Sequence, residues 1–297
     1  MQEVRARARH RASAALEKLT FSTRRYDPRL RPWYSEAFSK AKNLVVVLDG
    51  SGGSSESEFL ALKAGAQAVL GTLAAGDTAS VIIVRGNDVE EPGDDVSDLT
   101  YKACHGEQML RMGVINKGLL QRFVEEAEWR SDGNADLHAA VDRAQVLLTA
   151  QRALKAEKYP SIASEDVVVV LASSEDGAAD ASQYTELKAQ LDPPAHWFLH
   201  ALEGSGLDVS ASTFGAAASR ASQVAGADMG FEPARYYTLP ALATNTESFA
   251  SAFYMDTSGL GLVTTIVTPV VADGVTKGVI GMDVSDWAYC NSSSHRC

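Results

Sequence analysis

Apolar residues along the chain fall into two patterns. Two runs are continuous, at 43–48 (Asn-Leu-Val-Val-Val-Leu) and 165–172 (Glu-Asp-Val-Val-Val-Val-Leu-Ala). Neither alternates with polar residues, so each strand they predict meets apolar neighbours on both faces, as in a parallel sheet covered on both sides. Elsewhere the apolar positions recur at helical spacing. Phe59, Leu62, Ala66, Val69, Leu70 and Leu73 predict a helix over 58–73. Further helices are expected at 117–129, 136–154, 180–191 (stopped by Asp192-Pro193-Pro194) and the Ala-rich 213–225. Strands are expected at 78–84, 196–202 and 235–239, and 86–113 reads as an irregular excursion. This strand–helix alternation is what a parallel sheet with covering helices requires. The two ends of the chain differ from this middle. Residues 3–19 read as an Ala- and Arg-rich amphipathic helix with Leu16 and Leu19 on its apolar side. Residues 260–271 are an apolar run, followed by the turn Asp273-Gly274 and a strand-like stretch ending at Asp283.

Charge adds one exclusion. The net charge is −11, and residues 1–42 carry 11 Lys or Arg against 4 Asp or Glu, so the acidic excess sits in the body of the chain. A body of that sign lacks the basic face that nucleic acid needs. No apolar run is long enough to span a bilayer, and the first residues lack the apolar core of a signal peptide. Cys104, Cys290 and Cys297 form no short-spaced metal pair; a bridge from Cys104 to a late cysteine and three free thiols both remain open. Asn291-Ser292-Ser293 is a glycosylation sequon.

Candidate chemistry begins at residues 26–34, Tyr-Asp-Pro-Arg-Leu-Arg-Pro-Trp-Tyr. Arg31 stands beside Trp33, with Tyr26 and Tyr34 near it. A guanidinium holds a carboxylate through two parallel hydrogen bonds, and aromatic faces hold an ammonium. Pro32 keeps Arg31 extended and so sets how Arg31 and Trp33 project. Tyr254, before the last strands, and Asp283, at their end, could complete a pocket for a small zwitterion. Taken singly, each has an ordinary reading as a surface arginine, a core aromatic or a turn cap.

Together these residues resemble the amino-acid-binding variety of Cache domain, an extracellular sensor module. That resemblance assigns Tyr26, Arg31, Trp33, Tyr34, Tyr254 and Asp283 to a pocket for a free amino acid. Between Tyr34 and Tyr254 lie about 220 residues, where an ordinary Cache domain has a short connection. Inside that insert, the buried run 43–48 leads directly into Asp49-Gly50-Ser51-Gly52-Gly53-Ser54, which resembles the first metal-binding loop of a von Willebrand factor type A domain. A type A domain lodged within a Cache domain resembles the alpha-2-delta subunits of voltage-gated calcium channels. The implied fold class is α/β, a doubly wound type A domain at 42–240 inserted into a partial α+β Cache domain formed by 1–41 and 241–297. The implied partners are a channel pore subunit and a free amino acid. The implied place is the extracellular face of a membrane, the chain being read as a fragment whose signal and anchor lie elsewhere. The same layout could equally be a stand-alone sensor or adhesion ectodomain.

The type A resemblance further implies Mg²⁺ or Ca²⁺ held through oxygen ligands on three loops. The first loop supplies Asp49 and Ser51, with Gly53 at the second serine position and Ser54 one step late. The second aligns Gly133-Asn134-Ala135-Asp136 with the family's Gly-x-Thr-Asp, so Ala135 replaces the threonine. In the third, either Ser174 replaces the family's aspartate or Asp176 reaches the site after an extension. The expected ligands are Asp49, Ser51, Ser54, Asp136 and Asp176. Affinity is expected to be weak, because Mg²⁺ demands near-octahedral oxygen geometry and two hydroxyls are missing.

Catalysis is not expected. Ser51 lies directly between Gly50 and Gly52, whereas a nucleophile elbow needs Gly-x-Ser-x-Gly. A phosphate cradle would need the P-loop lysine, and Asp49 would repel phosphate. His196 and His200 lie four apart in a strand, about 13 Å from each other, and read as structural.

Overall fold

A computed structural model describes residues 34, 41–51, 55–92, 108–130, 133–158, 164–175, 177, 179–238, 248–250, 254–256, 261–272 and 275–285. The expected helix at 3–19, Tyr26, Arg31, Trp33, Ser54, Asp176, the sequon and the three cysteines lie outside these residues. In chain order, the strands of the larger sheet are β1 (Ala41–Asp49), β2 (Thr78–Arg85), β3 (Asp88–Glu90), β4 (Leu110–Arg111), β5 (Ser164–Ala172), β6 (His196–Leu202) and β7 (Arg220–Val224). Its helices are α1 (Glu56–Gly71), α2 (Val114–Glu126), α3 (Leu137–Lys158), α4 (Ala181–Lys188), α5 (Thr213–Ala217) and α6 (Gly226–Met229), followed by a 3₁₀ turn at Pro233–Thr238.

The spatial order is β3-β2-β1-β5-β6-β7, with β4 also paired to β2. Neighbours from β2 through β7 run parallel, while β3 and β4 are antiparallel to β2. Chain connections therefore diverge from β1 to both sides, the doubly wound arrangement. The unbroken run of β1 is buried on both faces, as its lack of alternation requires. Leu44, Val46 and Leu48 pack with Phe59, Leu62 and Leu70 of α1 and with Leu120 and Val124 of α2. Val45 and Val47 pack on the other face with Val141 and Leu148 of α3, Leu187 of α4 and Phe214 of α5. At the opposite end from Asp49, Asn43 fixes the register of three strands. Its amide donates to Asp166 Oδ1 at 2.5 Å, and its oxygen accepts from Thr78 Oγ1 at 2.8 Å.

Two expectations at the far edge of the sheet are corrected. Residues 213–225 are not one helix: α5 ends at Ala217, and β7 follows. The Ser219 amide donates to Trp197 O at 2.7 Å and starts pairing with β6, so the sheet edge overrides the helix preference of an alanine-rich run. The strand expected at 235–239 is not found at 235–238: Pro233–Thr238 is a 3₁₀ turn that buries Tyr236 against Phe198, ring centroids 6.2 Å apart. Within 86–113, β3 and β4 pair with opposite ends of β2.

A second sheet is antiparallel. It consists of β8 (Phe249–Ala250), β9 (Tyr254–Asp256), β10 (Gly261–Ala272) and β11 (Val275–Ser285). β10 pairs with β11 along one edge and with β8 and β9 along the other. Val263, Thr265 and Val267 are fully buried on one face of β10, whereas Leu262, Ile266, Ile280 and Met282 on the other face are exposed. Val279, opposite Pro269 on the buried face, lies against the α1–α2 side of the larger core, as does Tyr34.

Candidate functional site at the carboxyl ends of the parallel strands

β1, β2 and β5 end side by side, and β1 is where the connections diverge, the place where open α/β sheets bind ligands. β1 ends in Asp49, which is fully buried. Its carboxylate has no solvent, so donors must surround it. Oδ1 accepts from the Ser51 amide at 2.9 Å and the Ser51 hydroxyl at 2.5 Å. Oδ2 accepts from the Ser173 amide and hydroxyl, both at 3.0 Å, and from the Ser174 amide and hydroxyl, both at 2.9 Å. The Ser51 and Ser174 hydroxyls lie 2.9 Å apart, and the Ser174 oxygen accepts from the Ala135 amide at 3.1 Å. One carboxylate thus ties together the first loop and the third, and Ser174 extends the tie to the second.

A fourth segment closes the side. Trp129 donates its indole N–H to Ser51 O at 3.1 Å, and the Arg130 amide donates to Gly50 O at 3.3 Å. Arg85, nearly buried, donates to Glu128 O at 2.8 Å and pairs with Glu90. Its guanidinium also lies against Gly50: a Cβ there would meet Arg85 Nε at 3.3 Å and Ile83 Cγ2 at 3.1 Å. The glycine after Asp49 is needed for this close approach, not for an unusual φ. Glu175, next in the third loop, accepts from Thr213 Oγ1 at 2.7 Å and from the Phe214 amide at 3.1 Å, which fastens that loop to α5.

Of the expected metal ligands, the structure brings Asp49 and Ser51 together. Asp136 does something else: its Oδ1 accepts from the Ala139 amide at 2.8 Å and caps the start of α3. Ser54 and Asp176 lie outside the described residues. Of the two alternatives for the third loop, Ser174 is the one seen in contact with Asp49. These residues do not suit a resident divalent ion. A hard cation needs carboxylate-rich oxygen ligands, and among the described residues this site offers one carboxylate, whose lone pairs already face six donors. The second loop presents an N–H from Ala135 where an oxygen is required. Among the described residues, no three His, Cys, Asp or Glu side chains gather to hold an ion. Ser173 and Trp129 were missed in the sequence; a Ser-Ser pair directly after a buried parallel strand was the available signal for Ser173.

For the pocket expected in the second sheet, Asp283 accepts a hydrogen bond from Thr265 Oγ1 at 2.6 Å, directly across the ladder. It lies on the face of β11 that also carries Val279. Tyr34 is helical and half-buried against the larger core. Tyr254 begins β9.

No family model matches the sequence, and no curated protein matches it either. By fold, the chain is similar to a von Willebrand factor type A protein from Catenulispora acidiphila, with a TM-score of 0.52 at 11% identity over 82% of this chain. This chain spans 57% of that protein's length. Two looser likenesses are the manganese-loaded TRAP protein of Plasmodium vivax (TM-score 0.43, 11% identity, 83% of this chain and 94% of that one) and proximal thread matrix protein 1 of the mussel byssus (0.47, 10%, 73% and 50%). The larger sheet with its helices thus has the type A fold. At such identities the likeness reaches the fold and not the activity, and it does not extend to a Cache domain or a channel.

Proposed function

We propose that this chain is a non-catalytic binding module whose type A domain meets a partner protein through the loops at the carboxyl ends of β1, β2 and β5. The carrying observation is the Asp49 cluster. Each hydroxyl there, from Ser51, Ser173 and Ser174, donates to the same carboxylate. A carboxylate saturated by serines holds loops in place; it does not activate a nucleophile, which needs a base within reach and an open attacking oxygen. In this reading Asp49 fixes Ser51, Ser173 and Ser174 through hydrogen bonds alone.

The finer reading is that of an extracellular accessory subunit similar to calcium-channel alpha-2-delta. In it the type A domain contacts the pore subunit, and the second sheet, with Tyr26, Arg31, Trp33, Tyr34, Tyr254 and Asp283, binds a free amino acid. What supports it is the order of motifs along the chain and an antiparallel sheet in which Asp283, within β11, stands opposite Thr265. The test has two arms. Coexpression with a channel pore subunit, with and without Asp49→Ala, should raise surface current only with the parent. A thermal-shift screen of the twenty amino acids should yield a hit that Arg31→Ala weakens at least tenfold. Amino-acid binding without any effect on current would select the stand-alone sensor; failure of both arms would leave only the type A fold.

A further inference from the structure

At the β7 edge of the larger sheet, on the α1 side, a cleft of about 560 Å³ opens, and its lining shares no residue with the Asp49 loops. Its apolar wall is Phe198 and Tyr236, whose rings lie 6.2 Å apart. The ladder places its polar groups in order. Arg220 stands opposite Phe198, Ser222 opposite His200, and Val224 opposite Leu202, with Glu203 next in the chain. Positions 220 and 222 share a face of β7, so Arg220, Ser222 and His200 gather at one end of the cleft and Glu203 lies at the other.

Three features make this cleft unusual. Among the described residues, Arg220 has neither ion-pair nor hydrogen-bond partner, and the Glu203 carboxylate at the opposite end has none. His200 is 7% exposed, and while its Nδ1 meets Ser222 Oγ at 2.9 Å, its Nε2 is sealed from water without a partner. A buried nitrogen left unsatisfied is rare enough in a folded protein to need an explanation. The cleft volume lies within the range of small-molecule sites.

We propose that this cleft binds a short extended peptide of about three residues with free ends, its terminal carboxylate on Arg220 beside Ser222 and its ammonium on Glu203. Length decides the class of ligand. Three strand residues separate Arg220 from Val224, whose Cα atoms lie about 13 Å apart. The charges of a free α-amino acid lie only a few bonds apart and meet both ends only where both side chains fold inward. Three extended residues span about 10 Å, and the two side chains close the remainder. The planar guanidinium suits a carboxylate through two parallel hydrogen bonds. This site uses no residue of the Asp49 cluster or of the second sheet, so its fate is separate from theirs.

The experiment is calorimetry of the whole chain with alanine, trialanine, trialanine amide and N-acetyl-trialanine, with the His200 imidazole signals followed by NMR. Trialanine should bind at least tenfold more tightly than alanine and should shift the His200 signals. Amidation or Arg220→Gln should each cost tenfold or more, and not additively, because both remove one contact. Glu203→Gln should weaken trialanine but leave N-acetyl-trialanine unchanged. Arg220 and Glu203 are exposed, so neither substitution threatens the fold. Equal binding of alanine and trialanine, no binding of any peptide, or full binding by Arg220→Gln would overturn the proposal.

Discussion

Asp49 shows how one buried charge can be satisfied by serines alone. Six donors from three residues face it, so Asp49→Asn turns an amide N–H₂ toward donors that then lack an acceptor. The expected cost is about 3 kcal/mol, read by urea unfolding and unchanged by EDTA. Converting the site should be possible in two steps. Ser174→Asp together with Ala135→Thr sets a second carboxylate beside Asp49, which is unfavourable without a cation. That variant should melt lower than the parent and regain about 2.7 kcal/mol when Mg²⁺ reaches a hundredfold excess over its dissociation constant, while the parent shows no shift. Two histidines have lowered pKa values, His196 by partial burial and, more strongly, His200. Burial, then the nearby Arg220 charge, lowers its pKa from 6.5 to about 4. The unfolded chain therefore binds more protons between these values, and stability falls as pH drops. The contribution is whole above pH 6.5, is lost progressively down to about 4, and amounts to roughly 3 kcal/mol at most. Unfolding at pH 7 and pH 4.5 should show this loss in the parent and a smaller loss in His200→Gln, where His196 still contributes. At this scale Asp49 and Ser51 were legible because an acid and a serine two apart follow a buried strand. Ser173 and Trp129 were not, since their roles arise from strands and loops far away in sequence.

Among the elements, those with a strong local pattern were read correctly and those set by partners were not. α1 begins with a capping box, Ser55 with Glu58, and α4 with another, Asp180 with Gln183. Both helices were visible from periodicity. β7 was invisible because Arg-Ala-Ser-Gln-Val carries little strand signal; pairing with β6 decides it. Close approach is similarly hidden in two glycines. A Cβ on Gly215 would lie 2.6 Å from Val209 O, and one on Gly65 would lie 3.1 Å from Met229 O. Backbone must move in the first case, so Gly215→Ala should cost about 1–3 kcal/mol. In α1 the overlap is milder and opposes a helix gain of about 1 kcal/mol, so Gly65→Ala should change stability little. Guanidinium denaturation of both variants checks the pair.

At the scale of the molecule, the doubly wound sheet was legible from strand–helix alternation, and its loops from the motif after β1. The second sheet was legible only as an apolar run, a turn and a second strand, because pairing with β8 and β9 leaves no trace in periodicity. β1 carries a further consequence. It pairs with β2 from about 35 residues away, but its other neighbour, β5, lies 123 residues downstream (Asn43↔Asp166). A ribosome adds roughly 5–20 residues per second. For some 6–25 seconds the nascent chain therefore presents a valine-rich strand with one edge open, the kind of segment that seeds aggregation. Lys42, which pairs with the buried Asp77 at 3.2 Å, and Asp49 bracket that run, so the charges that pin the finished sheet also guard its most vulnerable strand during synthesis.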